Sequence, residues 1–222
     1  HDFAKDYIPL AGKRTITDQT TISDKDYTFE ISGSAFYQVN TNQMTRLYEK
    51  AAEYANLTGE EVVFDLYCGI GTIGLTMADK AAMIVGIEEV PGAVLDANRN
   101  AVINGIVNAR YYTGRAEEIL PKLLNPEDKL YADYLTRMDL KDLPRVVILD
   151  PPRGGCAPSL LETVTEIDPD RIVYISCDAG TLARDIKVLQ TLGYEFQEAT
   201  PVEMFAWTMH SEVVCSLRKR DE

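Results

Sequence analysis

From residue 62 onward, short apolar runs alternate with segments whose apolar residues recur every three or four positions. Residues 62–67, 83–87, 109–113, 146–150, 172–176, 195–202 and 212–217 have strand length and composition. Residues 72–80, 91–104, 116–124, 158–167 and 180–192 have helical period. Runs that are apolar throughout, such as 146–149, suit strands buried on both faces. This alternation predicts right-handed β-α-β units and a Rossmann-like α/β fold with a mostly parallel seven-stranded sheet. The last two strands have no helix between them, so an antiparallel edge strand is expected.

The region before this alternation reads differently. Residues 1–35 are rich in Thr, Ser and Asp, with β-type runs at 14–21 and 27–31 that stop at Gly33 and Ser34. They predict a short β segment, the remnant of a central domain, ahead of a main domain over residues 36–222. That domain opens with a helix carrying Met44, Leu47, Tyr48, Ala51, Ala52 and Ala55 on one face. Residues 125–144 hold mixed charge and two prolines, and predict an exposed excursion. No run nears the ~20 apolar residues of a membrane helix. Cys68, Cys156, Cys177 and Cys215 are spaced as neither a disulfide framework nor a metal site. A reducing, cytoplasmic setting without metal is therefore expected.

Gly69, Gly71 and Gly74 follow the first strand of the alternation and open a helix, the G-x-G-x-x-G setting of a dinucleotide fold. Glu88 lies 19 residues beyond Gly69, where a carboxylate can accept both hydroxyls of a ribose. These features suit NAD and S-adenosylmethionine alike. Asp65 tips the balance: at the strand's end it would repel a pyrophosphate but attract a sulfonium and an ammonium.

Two further strands end in reactive groups. Residues 146–149 run into Asp150, Pro151 and Pro152, beside the first strand at the switch in strand order, where ligand crevices open. The next strand ends at Cys177, so its thiol enters the same crevice. A helix begins just after it, and a helix N-terminus is expected to lower the thiol pKa. Cys68, Cys156 and Cys215 read as buried small hydrophobes.

With these residues together, the chain resembles the catalytic domain of the RNA uracil-5-methyltransferases, which make 5-methyluridine in ribosomal and transfer RNA. The matching stretches are Phe36 to Asn40, Asp65 to Gly71, Asp150 to Gly154, Ser176-Cys177, Thr181 to Asp185, and Met204-Phe205 with Thr208, His210 and Glu212. The resemblance implies S-adenosylmethionine as cofactor, Cys177 as nucleophile and Glu212 as general base. It places cofactor contacts on Gln38, Tyr67, Glu88 and Asp150, to which the reading of the glycine turn adds Asp65, Gly69, Gly71 and Thr72. Substrate contacts fall on Asp150, Arg153 and Phe205. Tyr37, Phe205 and Trp207 are candidate stacking surfaces for RNA bases. Ala206-Trp207 stands where family members usually have Pro-His or Pro-Gln, and Arg115 stands where a polar or acidic residue often touches the adenine.

The implied partner is RNA, with 23S ribosomal RNA placed ahead of transfer RNA, and a monomer is expected. The net charge of −13 is the opposite of a basic nucleic-acid footprint. An RNA-binding region further toward the N-terminus, as in the family, would supply the missing positive charge. Two other enzymatic readings stay open. A methyltransferase acting on an exocyclic amino group would need no cysteine and carries an aromatic residue where Arg153 stands. An NAD-dependent oxidoreductase is disfavoured by Asp65. A non-catalytic binding module would tolerate loss of Cys177 or Glu212, and both are present.

Overall fold

Strand residues alternate between two apolar layers, and this divides the core. Val63, Ile84, Val146, Ile148, Val173, Ile175 and Val214 face one layer. Val62, Phe64, Leu66, Val85, Val147, Leu149, Ile172, Tyr174 and Leu217 face the other. The computed structural model describes residues 12–33, 35–38, 40–131, 142–208 and 211–220. Residues 132–141 of the expected excursion at 125–144, and His210, lie outside the described residues.

The main sheet contains β3 (Val62–Leu66), β4 (Met83–Glu88), β5 (Ala109–Thr113), β6 (Arg145–Leu149), β7 (Arg171–Ser176), β8 (Tyr194–Val202) and β9 (Glu212–Lys219). Its order is β5-β4-β3-β6-β7-β9-β8. All pairs are parallel except those of β9, which runs antiparallel to both β7 and β8. The antiparallel edge is therefore present, and β9 inserts between β7 and β8. Pro201 is tolerated because β8 is the outer strand.

Helices of the described residues that flank the sheet are α1 (Thr41–Ala55), α2 (Thr72–Met77), α3 (Pro91–Ile103), α4 (Ala116–Leu124), α5 (Pro158–Glu166) and α6 (Ala179–Thr191). Residues of α1, α2 and α3 join the first core layer, and those of α4, α5 and α6 the second. The Asn40 side chain caps α1 by accepting from Gln43 N–H at 3.3 Å, and left-handed Asn56 ends it. The helix expected over 72–80 divides into α2 and a 3₁₀ turn at Ala78–Lys80.

The N-terminal β segment is a hairpin of β1 (Thr15–Ile22) and β2 (Lys25–Ser32). Ser23 and Asp24 both take positive φ, the geometry of a tight I′ turn. Tyr27, Phe29 and Ile31 point into the first core layer, so the hairpin shares its core with the main domain. The outward side of β2 lies along α3. Asp96 Oδ2 accepts from Ser32 N–H at 2.9 Å, Asn100 Oδ1 from Glu30 N–H at 2.7 Å, and Asn104 Oδ1 from Thr28 N–H at 2.9 Å. Asn100 and Asn104 return bonds to the carbonyls of Glu30 and Thr28. One helical step of four residues spans about 6 Å and two strand residues about 6.7 Å, which is why the rungs match.

The strand register also builds the site. Leu66 pairs with Leu149, and Leu149 with Tyr174, so the carboxyl ends of β3, β6 and β7 form one rim. Because β9 runs the other way, its first residues reach the same rim. Ser176 pairs with Val213, which sets the next residues, Cys177 and Glu212, side by side.

Candidate active site

The turn after β3 is built on positive φ at Tyr67 (65°), Gly69 (53°) and Gly71 (83°). The N–H groups of Tyr67 and Cys68 donate to the carbonyl of Ile87, holding the turn against β4. A Cβ on Gly71 would come within 2.7 Å of the Tyr111 hydroxyl, so only glycine fits there. Glu88 lies under this turn. It accepts from Gly69 N–H at 3.1 Å and Val90 N–H at 2.8 Å, and burial raises its pKa. Beyond Glu88 a cavity of about 290 Å³ opens between Tyr67, Arg115, Glu117 and Pro152. Arg115 forms an ion pair with Glu117 at its mouth.

Asp65 has no exposure. Its Oδ2 accepts from Gly74 N–H at 2.9 Å, while Oδ1 has no partner among the described residues. Burial pushes its pKa to about 7, and the charge of Glu88 adds to the shift. The amide oxygen of Gln38 is likewise buried and unpartnered. Thr72, expected among the cofactor contacts, turns its hydroxyl to Tyr48 Oη at 2.9 Å, so it enters the turn through its backbone. Tyr111, beneath Gly71, carries a third buried polar atom without a partner. Tyr111 was not among the expected site residues; the adjacent pair Tyr111-Tyr112 in β5, which only β4 separates from the glycine turn's strand, was the available signal.

Four charged or reactive groups meet at the other end of the rim. Asp150 is pushed to about 8 by desolvation, then by the charges of Glu212 and Asp65. Glu212 is 6% exposed and raised by burial, with Arg153 opposing. Cys177 is raised as well, first by burial and then by Glu212, with Arg153 pulling it down. This corrects the expectation that the helix N-terminus holds the thiol low. Asp178 occupies that end of α6: its Oδ1 accepts from Thr181 N–H at 2.9 Å, so the helix cap serves a carboxylate and not the sulfur. Arg153 is exposed, and its charge acts on Cys177 and Glu212 together. The sequence reading had assigned it to substrate alone.

Phe205 packs partly against the first core layer, and its carbonyl accepts from Thr208. Trp207 is fully exposed at φ 67°. The loop bearing both is tied to the start of α1, where Asn40 Nδ2 donates to the Met204 carbonyl at 3.1 Å. Among the described residues no group of His, Cys, Asp and Glu is arranged to hold a metal ion. None of the described helices is long and apolar enough to cross a membrane.

The residues fit S-adenosylmethionine. The unpartnered oxygens of Gln38 and Asp65 are acceptors suited to an ammonium, and the carboxylate of Glu88 borders the cavity that would take an adenosine. The family model described as tRNA (Uracil-5-)-methyltransferase matches residues 5–220. An uncharacterized RNA methyltransferase of Enterococcus faecalis is 48% identical over 217 residues, covering 98% of this chain and 44% of that protein. One of Halalkalibacterium halodurans is 46% identical over 196 residues, covering 88% of this chain and 40% of that protein. The chain thus spans less than half the length of these relatives. The crystal structure of the Pyrococcus abyssi tRNA (uracil-54, C5)-methyltransferase, in complex with S-adenosyl-L-homocysteine, aligns with a TM-score of 0.70 at 30% identity. That alignment covers 93% of this chain and 45% of the archaeal one.

Proposed function

Because the chain belongs to the tRNA (uracil-5-)-methyltransferase family, we propose that it methylates carbon 5 of a uridine in RNA from S-adenosylmethionine, through a covalent Cys177–uracil adduct. The observation that carries this reading is the strand register that seats a cysteine beside a buried carboxylate at the cofactor rim. Gln38, Asp65, Tyr67, Gly69, Gly71, Thr72 and Glu88 would hold the cofactor. When bound, it supplies an electrophilic methyl group on a sulfonium.

The Cys177 thiolate adds to carbon 6 of the uracil, and the ring electrons move to carbon 5 and oxygen 4. Carbon 5, now nucleophilic, would take the methyl group as the methyl–sulfur bond breaks, its electron pair staying on sulfur in a neutral thioether. Glu212 then takes the hydrogen from carbon 5, the carbon 5–carbon 6 double bond re-forms, and the thiolate leaves carbon 6. A raised Glu212 suits this role, since a base with a pKa nearer neutrality is better matched to proton transfer at pH 7. Asp150, protonated up to about 8, can donate toward the uracil. A paired target must first leave its stack, and Phe205 and Trp207 offer rings beside the crevice.

The RNA is read as 23S ribosomal RNA on the sequence resemblance, whereas the Pyrococcus abyssi relative is named for a transfer RNA. Methylation assays with each RNA decide between them. The chemistry is tested by incubating the protein with 5-fluorouridine RNA and S-adenosylmethionine. Fluorine blocks the final elimination, so a covalent adduct mapped to Cys177 by mass spectrometry is expected. Methylation of an amino group, with no adduct, would replace this reading with the exocyclic one.

A further inference from the structure

Asp185 lies in α6 and is 1% exposed, yet the chemistry above does not use it. Its Oδ2 accepts from the Tyr174 hydroxyl at 2.6 Å and from the Cys156 N–H at 2.8 Å. Its Oδ1 accepts from Arg184 Nε at 2.8 Å. Arg184 then reaches over the loop that follows β6, donating from Nη2 to the carbonyls of Gly154 at 2.9 Å and Cys156 at 3.2 Å. The Thr181 hydroxyl donates to the carbonyl of Arg153 at 3.2 Å.

The fit is close. Gly155 sits at φ 70°, and a Cβ there would fall 2.5 Å from Asp185 Oδ2 and 2.7 Å from Arg184 Nη2. The loop therefore rests directly on the carboxylate, and α6 begins two residues after Cys177. One buried acid ties the helix behind the thiol to the loop carrying Arg153. Glu212 brings negative charge near the sulfur, Asp150 adds to it once ionised above about 8, and Arg153 is the cation acting on it.

We propose that Asp185 is a positioning residue: by clamping residues 153–156 onto α6, it holds the Arg153 guanidinium where it offsets the negative charge around the Cys177 sulfur. The proposal rests on the reading of Cys177 as nucleophile, but its test needs no turnover.

The rate of Cys177 alkylation by iodoacetamide is followed from pH 6.5 to 9.5 by mass spectrometry of its peptide. Arg153→Gln should slow the reaction at pH 7 roughly three- to tenfold, as expected for loss of a neighbouring cation. Asp185→Asn should slow it similarly, and the double variant should be no slower than either single one, because both remove the same interaction. Asp185→Asn that lowers thermal stability while leaving the pH profile in place would overturn the proposal. So would an unchanged profile in Arg153→Gln. If Asp185→Asn does not fold, Arg184→Met decides. Its side chain is about half exposed, and its charge is not among those acting on the sulfur. A slowed profile in Arg184→Met supports the clamp, and an unmoved one refutes it. Should uracil chemistry be wrong, the 5-fluorouridine adduct fails while the alkylation pattern persists.

Discussion

Glu212→Gln should drive two steps in the same crevice in opposite directions. Gln keeps the size of the side chain, so the fold should hold. After burial, the Glu212 charge is the main influence raising Cys177, and it is also the main charge raising Asp150. Its removal brings both groups down, so alkylation of Cys177 at neutral pH should become faster. Turnover should collapse. A positioned base contributes roughly 10²–10⁴-fold, or about 3–5 kcal/mol of barrier. Thiol addition and methyl transfer need no base at carbon 5, so a methylated protein–RNA complex should accumulate. The assay is a single turnover with radiolabelled methyl donor, read by denaturing electrophoresis alongside the alkylation rate. Turnover within about tenfold of the parent protein, with no trapped complex, would remove Glu212 from its role.

Tyr111→Phe deletes a buried hydroxyl that lacks a partner among the described residues. Stability should rise by about 1 kcal/mol, or roughly 2–4 °C in thermal midpoint, and a fall would show that the hydroxyl is satisfied. Asp150 goes from its ordinary 3.8 to about 8 in the folded chain, so the folded state binds the extra proton between those values. Its contribution to stability should be greatest near pH 4 and be lost as pH rises through about 8. Asp150→Asn should flatten that part of the stability–pH curve, and denaturant titrations at pH 5 and pH 9 test it. Trp207 is the single tryptophan of the chain and is fully exposed. Its fluorescence should be quenched when single-stranded RNA binds, and Trp207→Ala should cost about 1–3 kcal/mol of affinity. Emission that ignores RNA would exclude stacking on this ring.

Much of the fold was legible because local and global signals agreed. Periodicity marked nearly every strand and helix, and the glycine spacing marked the turn after β3. What escaped was information carried between elements. The insertion of β9 between β7 and β8 depends on pairing partners, which a strand's own residues do not announce. Cys156 read as a small hydrophobe, and it is buried, but its backbone N–H and sulfur also join the Tyr174–Asp185 network. The direction of the shift at Cys177 escaped because it depends on what its neighbour Asp178 does at the start of α6. Only the structure shows that its carboxylate takes the helix end. Asp96, Asn100 and Asn104 were a readable signal left unread: three polar residues at four-residue spacing, two fully buried in α3 and the third at its C-cap.

Those three side chains also have a consequence for how the chain tolerates change. An open strand margin can template pairing with another polypeptide, and α3 occupies the margin of β2 with side-chain amides and a carboxylate. The ladder admits one alignment. Slipping β2 by a residue would turn Tyr27, Phe29 and Ile31 outward and offer α3 the wrong N–H groups. Ser32, the last rung, precedes Gln38 by six residues, so the ladder acts as a ruler for the segment that delivers Gln38 to the crevice. A one-residue insertion in β2 should therefore weaken cofactor binding while the seven-stranded sheet, built entirely from residues after Glu61, stays intact.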